Sequence, residues 1–345
     1  MSRLSFDCVL TESCNLRCDH CFQHHVLKNI PTLDSLNELK TILKETIEEE
    51  SKCKDLTQVD LSFRGGEIFQ DIIHDEVIEG YKDLILYVNN LVPNLDFNVD
   101  FVSNGIFKKH ERILDLLEST NGRLSLSYDP VGRFKAERQL DLFQNSLNYF
   151  SKKKKIYSIY ITLTKESIDA YMSDKSLLDR FDGLIIDVSY FIPNTISHSA
   201  SDDDLFMFFK YLLDNRYFNV SYISDMIRNI KGELPKIPRC CNCANTIVVY
   251  QGKKHYDCNI LIPNLKKEDF YDDISKLTDR NGVKLLTEQG INKRGCLLCN
   301  HFNSCPMYCW MTFNNKDYKM LDCPHKRIFE YIKNNIDSIC GEKNG

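Results

Sequence analysis

Three cysteines stand within eight residues near the start of the chain, in the run Cys14-Asn15-Leu16-Arg17-Cys18-Asp19-His20-Cys21. The run follows an apolar, strand-like stretch from Ser5 to Leu10, so the fold must deliver three thiols on one loop at the end of its first strand. Three thiolates leave one iron of a cubane [4Fe–4S] cluster with an open position, an arrangement suited to binding an exogenous molecule. With 15 cysteines in 345 residues this spacing arises by chance roughly 0.03 times. A zinc site and buried free thiols are the competing readings, because Cys also serves zinc and is among the most buried residue types.

A second group lies near the other end, where Cys296-x2-Cys299-x5-Cys305-x3-Cys309 is followed by Cys323. Chance gives that spacing only about 0.001 times. Ahead of it come Cys240, Cys241 and Cys243, then the run Ile247 to Gly252, then Cys258. The N-terminus has no secretory signal and most thiols fall into cluster-like spacings, so they read as metal ligands in a reducing cytosol rather than as disulfides. Cys8, Cys53 and Cys340 belong to no motif and read as small core or surface residues.

Between these groups the pattern sets a fold. Short β-branched or aromatic runs at 5–10, 58–63, 98–102, 123–127, 156–163 and 184–189 alternate with amphipathic runs at 33–50, 72–91, 109–117 and 136–150. Leu36, Leu39, Leu43 and Ile47 share one helix face, and Asp34 or Thr32 could cap that helix. Strand–helix alternation predicts the α/β class with a parallel sheet. Six β/α units are too few for a closed eight-stranded barrel, so a partial, open barrel is expected, with function at the C-terminal ends of its strands.

After Ile192 the rhythm changes. A helix is expected from Asp202 to Asn215, Pro235 and Pro238 mark a linker, and 323–336 reads as a closing helix. The expected division is therefore a barrel core over 1–192, a connecting helix and linker over 193–238, and a cysteine-rich, loop-dominated domain over 239–345. A net charge of -5 and a pI near 6.0 argue against a broad basic face for nucleic acid. The run Lys152-Lys153-Lys154-Lys155 reads as a solvated helix end, with an anionic partner as the alternative. No apolar stretch approaches the roughly 20 residues of a spanning helix, so no membrane partner is expected.

The cysteine spacings resemble those of radical S-adenosylmethionine enzymes with a C-terminal SPASM domain, and the resemblance covers nearly the whole chain. It implies that Cys14, Cys18 and Cys21 hold a [4Fe–4S] cluster that chelates S-adenosylmethionine. One-electron reduction then yields a 5′-deoxyadenosyl radical that abstracts hydrogen from a substrate. Phe63-Arg64-Gly65-Gly66-Glu67 resembles the family's GGE motif, which binds the methionine amino group; an ordinary β–α turn is the other reading. Ser103-Asn104-Gly105 resembles a TNG-type turn, and the resemblance implies that Ser103 and Asn104 bind the cofactor, though an Asn-Gly turn has the same look. By the same resemblance Ser127 contacts the cofactor ribose and Arg138 pairs with its carboxylate, although the usual Gly is missing after Asp129. A surface helix arginine is the other reading of Arg138. His20 stands where the family often has an aromatic residue near the adenine.

The resemblance also implies two auxiliary [4Fe–4S] clusters, three in all. It assigns Cys296, Cys299, Cys305 and Cys323 to one. The other takes Cys258, Cys309 and two of Cys240, Cys241 and Cys243; Cys240 with Cys243 is preferred and Cys241 is the alternate. Zinc at the CxxC pairs is the rival. Sulfatase-maturating members place an aspartate base after the cysteine that here is Cys258, but this chain has Asn259, which cannot accept a proton as a carboxylate does. Asp257 could substitute only with the loop re-aimed. Sulfatase maturation is accordingly disfavoured.

The expected activity is hydrogen abstraction from a ribosomally made peptide or protein side chain. Radical oxidation or rearrangement of a small metabolite, a sugar or nucleoside, is the second reading, and a non-catalytic iron–sulfur electron carrier the third. A reductant such as flavodoxin or ferredoxin is expected as partner. Thirteen residues precede Cys14, so peptide recognition is expected to fall to the barrel mouth, the SPASM domain or a separate recognition protein.

Overall fold

A computed structural model describes residues 2–21, 29–190, 198, 200–233, 246–250, 252–255, 296–301, 305 and 323–341. By compactness the chain divides into two units. One comprises Met1–Ser127, Arg133–Ser158 and Cys243–Val283; the other comprises Tyr128–Gly132, Ile159–Asn242 and Lys284–Gly345. The sequence predicts boundaries at 192 and 238.

The first unit holds β1 (Ser2–Val9), α1 (Leu33–Cys53), β2 (Leu56–Arg64), α2 (Asp75–Leu91), β3 (Asp96–Ser103), α3 (His110–Ser119), β4 (Arg123–Tyr128, to Ser127) and α4 (Glu137–Lys152). Its sheet runs β4-β3-β2-β1 with every neighbouring pair parallel. The register sets Cys8 beside Phe63 and Phe63 beside Phe101, so one face becomes a continuous apolar wall. Phe63 stacks on Phe101 at 5.0 Å and meets Tyr81 of α2 edge-on at 5.2 Å. All three are fully buried, and each such side chain contributes about 2–3 kcal/mol of burial.

Of the two caps proposed for α1, the fold uses Thr32. Its hydroxyl accepts from the Ser35 N–H at 3.2 Å while the Thr32 N–H donates to Ser35 Oγ at 2.9 Å. Helix α2 begins at Asp75 rather than Ile72, because the Ile73 N–H donates to Gln70 O in a turn and Ile72 is exposed. At the end of α4, Lys152 to Lys154 are exposed and Lys154 is left-handed (φ 55°), the solvated helix end expected.

A strand unforeseen in the sequence completes this sheet. Thr246–Tyr250 (β7) pairs in parallel with β1, and Lys253–His255 (β8) folds back on it antiparallel. The sequence places these residues in the cysteine-rich domain. Their apolar run Ile247-Val248-Val249 is buried against β1, which is what the sheet edge requires.

In the second unit β5 (Ile156–Leu163, from Ile159) and β6 (Ile185–Tyr190) are neighbours, followed in sequence by α7 (Asp202–Asp214) and α8 (Ser221–Ile230). Two further helices, α5 (Lys165–Ser173) and α6 (Ser176–Asp179), lie between β5 and β6 in the chain. The segment expected to be a connecting helix and linker thus builds a core. Phe208 meets Tyr171 at 5.9 Å and Phe209 meets Tyr222 at 4.4 Å. The closing helix Pro324–Asn334, labelled α9, adds Ile328, Phe329 and Ile332 to the buried set.

Candidate functional site

Beyond β1 the chain continues as Thr11-Glu12-Ser13 into the cysteine loop, and beyond β2 it continues as Gly65-Gly66-Glu67. These two extensions pair. The Gly66 N–H donates to Thr11 O and the Glu67 N–H to Ser13 O, each at 2.8 Å. Gly65 is left-handed (φ 136°), and a Cβ there would lie 2.2 Å from Thr11 O. At Gly66 a Cβ would lie 2.0 Å from Ser13 O. Both glycines are therefore required by the close approach of the segment that leads into the cysteines. Gln70 adds a clamp, its Nε2 donating to Ser13 O and Glu67 O at 3.1 Å each.

Glu67 is fully buried and its carboxylate is occupied from within. It accepts from the Phe69 N–H at 2.8 Å, the Ser103 hydroxyl at 2.9 and 3.0 Å, and the Asn104 N–H at 2.7 Å. Burial pushes its pKa up to about 7 against those bonds and the nearby Arg133. The carboxyl thereby joins the ends of β2 and β3. Gly105 (φ 73°) completes the turn, with its carbonyl accepting from Ser146 Oγ at 2.7 Å.

The cysteine loop itself is half-buried at Cys14, Cys18 and Cys21, and the Cys21 N–H donates to Cys18 O at 3.2 Å. Cys14 Sγ receives the Leu16 N–H at 3.4 Å and Asn104 Nδ2 at 3.5 Å. Burial, and then the Glu67 charge, push the Cys14 thiol up to about 11. A coordinating metal deprotonates such a thiol outright. Among the described residues no three His, Cys, Asp or Glu side chains are grouped as one metal ion would require. A cubane, which spreads its sulfur ligands over separate irons, makes no such demand.

His20 is buried beside this loop, 3.5 Å through Nε2 from Arg133 Nη2, and Arg133 Nε is buried without a partner. A buried, unpaired guanidinium nitrogen beside His20 fits a cofactor carrying a carboxylate. Ser127 is half-buried at the end of β4, whereas Arg138 is exposed in the first turn of α4. Arg133 was overlooked in the sequence; its signal is a cation directly after Gly132, in the loop that follows β4.

The remaining expected residues are only partly described. Cys296 opens a single 3₁₀ turn, the Cys299 N–H donates to Cys296 O at 3.0 Å, and the Cys305 N–H to His301 O at 2.7 Å. Cys323 precedes α9 as its N-cap residue. Cys240, Cys241, Cys243, Asp257, Cys258, Asn259 and Cys309 lie outside the described residues.

No family model matches the chain. A cysteine-type anaerobic sulfatase-maturating enzyme of Clostridium novyi (strain NT) is 23% identical over 333 residues, 87% of this chain and 85% of the relative. A solved structure of native anSMEcpe with bound AdoMet and Cp18Cys peptide superposes with a TM-score of 0.69 at 18% identity, over 99% of this chain and 100% of that one. Streptococcus suis SuiB bound to precursor peptide SuiA gives 0.55 at 15% identity, over 92% of this chain and 74% of SuiB. The α/β fold with its parallel sheet is thus that of the radical S-adenosylmethionine enzymes that the cysteine spacings resembled. The chain is thus similar in sequence to a sulfatase-maturating enzyme and shares the fold of anSMEcpe and SuiB.

Proposed function

We propose that this enzyme cleaves S-adenosylmethionine reductively at a [4Fe–4S] cluster on Cys14, Cys18 and Cys21 and turns the resulting radical on a C–H bond of a peptide or protein side chain. The observation that supports it most is the backbone pairing of Gly66 and Glu67 with Thr11 and Ser13, which fixes the three-cysteine loop against the end of β2. When bound, the cluster supplies the electron that breaks the sulfonium C–S bond.

The chain's own residues position and shield. Gly65, Gly66 and Glu67 hold the loop, and Glu67 with Ser103 sets the β3 turn beside it. His20, the Gly65–Glu67 backbone, Ser127 and an arginine, Arg133 or Arg138, surround the cofactor in this reading. Arg133 suits the carboxylate because its Nε is buried and unpaired. Cys296, Cys299, Cys305 and Cys323 bind a second cluster, and Cys258, Cys309, Cys240 and Cys243 a third, with Cys241 the alternate. The enzyme works in a reducing cytosol with a flavodoxin or ferredoxin as electron donor, and a separate protein can present the peptide.

Peptides are the favoured substrates because anSMEcpe and SuiB were both solved with peptides bound. Anaerobically reconstituted protein, given S-adenosylmethionine, dithionite and peptides deuterated in their side chains, should release 5′-deoxyadenosine carrying deuterium. Turnover without deuterium uptake from any peptide would overturn the reading. The sulfatase-maturating relative favours formylglycine formation as a second reading, against which stands Asn259. Mass spectrometry of a sulfatase-motif peptide should show no formylglycine; efficient conversion would mean that Asp257 or another group supplies the base.

A further inference from the structure

Asn104 was expected to touch S-adenosylmethionine, yet its polar atoms are already engaged. Its backbone N–H donates to Glu67 Oε2 at 2.7 Å, and its Oδ1 accepts from the Ile106 N–H at 2.8 Å. The second bond fixes which way the amide points, since only oxygen can accept there. Nδ2 is therefore turned to the cysteine loop, where it donates to Asn15 Oδ1 at 2.8 Å and to Cys14 Sγ at 3.5 Å, across 90 residues of sequence. Asn15 is in turn held by its own Nδ2 donating to Ile106 O at 2.6 Å. Asn104 is buried, and both of its side-chain N–H bonds are spent.

We propose that Asn104 is a positioning residue for the iron–sulfur cluster: its N–H···S bond to Cys14, oriented by Glu67, Asn15 and Ile106, raises the cluster's reduction potential. This rests on the proposed assignment of Cys14, Cys18 and Cys21 as cluster ligands. A donor aimed at a ligand sulfur withdraws charge from the thiolate and favours the reduced cluster, and hydrogen bonds to sulfur are among the terms that set such potentials. The Leu16 N–H does the same from within the loop, but as backbone it cannot be removed by a side-chain change.

The test is an anaerobic redox titration of the reconstituted protein followed by electron paramagnetic resonance. Asn104→Ala removes the donor, and Asn104→Asp keeps the acceptor for Ile106 while replacing the donor by a negative charge. Both should hold the cluster with a midpoint potential more negative than the unaltered protein, the Asp variant further than the Ala variant. Unchanged potentials in cluster-loaded variants would overturn the proposal. So would failure of both variants to fold or to load the cluster, which would make Asn104 a structural prop. Absence of any S-adenosylmethionine-sensitive cluster signal in the unaltered protein would instead sink the functional assignment on which this rests.

Discussion

The two groups of cysteines are placed by different means. Around Cys14, Cys18 and Cys21 local bonds are joined by long-range ones: Cys21 bonds to Cys18 and Leu16 to Cys14, while Gly66 and Glu67 bond to Thr11 and Ser13, Gln70 clamps Ser13, and Asn104 reaches Cys14. Around Cys296, Cys299, Cys305 and Cys323 the backbone bonds at the described cysteines are local. Cys299 bonds to Cys296, Cys305 to His301, and Arg327 to Cys323. The first loop is thus tied to the ends of the sheet strands. At the described residues of the second, the backbone bonds at its cysteines close short turns.

The largest effect should come from breaking the first loop's tie to the sheet. Gly66→Leu would drive a side chain into Ser13 O and cost about 4 kcal/mol or more, since backbone cannot yield there. The variant should lose the S-adenosylmethionine-responsive cluster by electron paramagnetic resonance while keeping the C-terminal irons by iron assay. Loss of all iron together would mean that the two regions are not held independently.

Next in size is the buried carboxyl that joins β2 to β3. Glu67 keeps its proton to about pH 7 in the fold, against 4.5 in the unfolded chain. The folded state then binds the extra proton, so stability is greatest below pH about 4.5 and falls by roughly 3 kcal/mol as pH rises to about 7. Urea melts of the cluster-free protein should show that decline, and Glu67→Gln should remove most of it. An equal slope in both proteins would deny Glu67 its place in the network.

Smaller and more specific is the arginine. Arg133→Ala should weaken S-adenosylmethionine binding about tenfold or more by calorimetry, the loss of one charge-assisted pair, and Arg138→Ala much less. The reverse ranking would return the carboxylate to the exposed first turn of α4. Smallest is Thr32→Ala, which removes the α1 cap and should cost about 1 kcal/mol with iron content unchanged.

What the sequence disclosed follows the same divide. Strands β2, β3 and β5 show in their β-branched runs, and α1 in its 3.6-residue period, because each buries one face against its neighbours. Strand β7 went unseen because a five-residue apolar run amid cysteines gives no period, and only its pairing with β1 defines it. Helix α8 was hidden in an expected linker, although Tyr222, Ile223, Met226 and Ile227 lie on one face. At the site, Cys14, Cys18, Cys21 and the Gly65–Glu67 stretch were legible as contiguous motifs. Arg133 was not, since its meeting with His20 spans 113 residues and no local pattern encodes it. Nor could the sequence say that Glu67 and Asn104 spend their polar groups on holding the loop, which depends on the turn geometry after β3.

If the loop tied to the end of β2 is the reactive site, replacing Cys14, Cys18 and Cys21 together with Ala will abolish 5′-deoxyadenosine formation from S-adenosylmethionine and dithionite, read by chromatography, while the C-terminal iron persists. Continued cleavage by the triple variant would instead place the reactive cluster among the other cysteines.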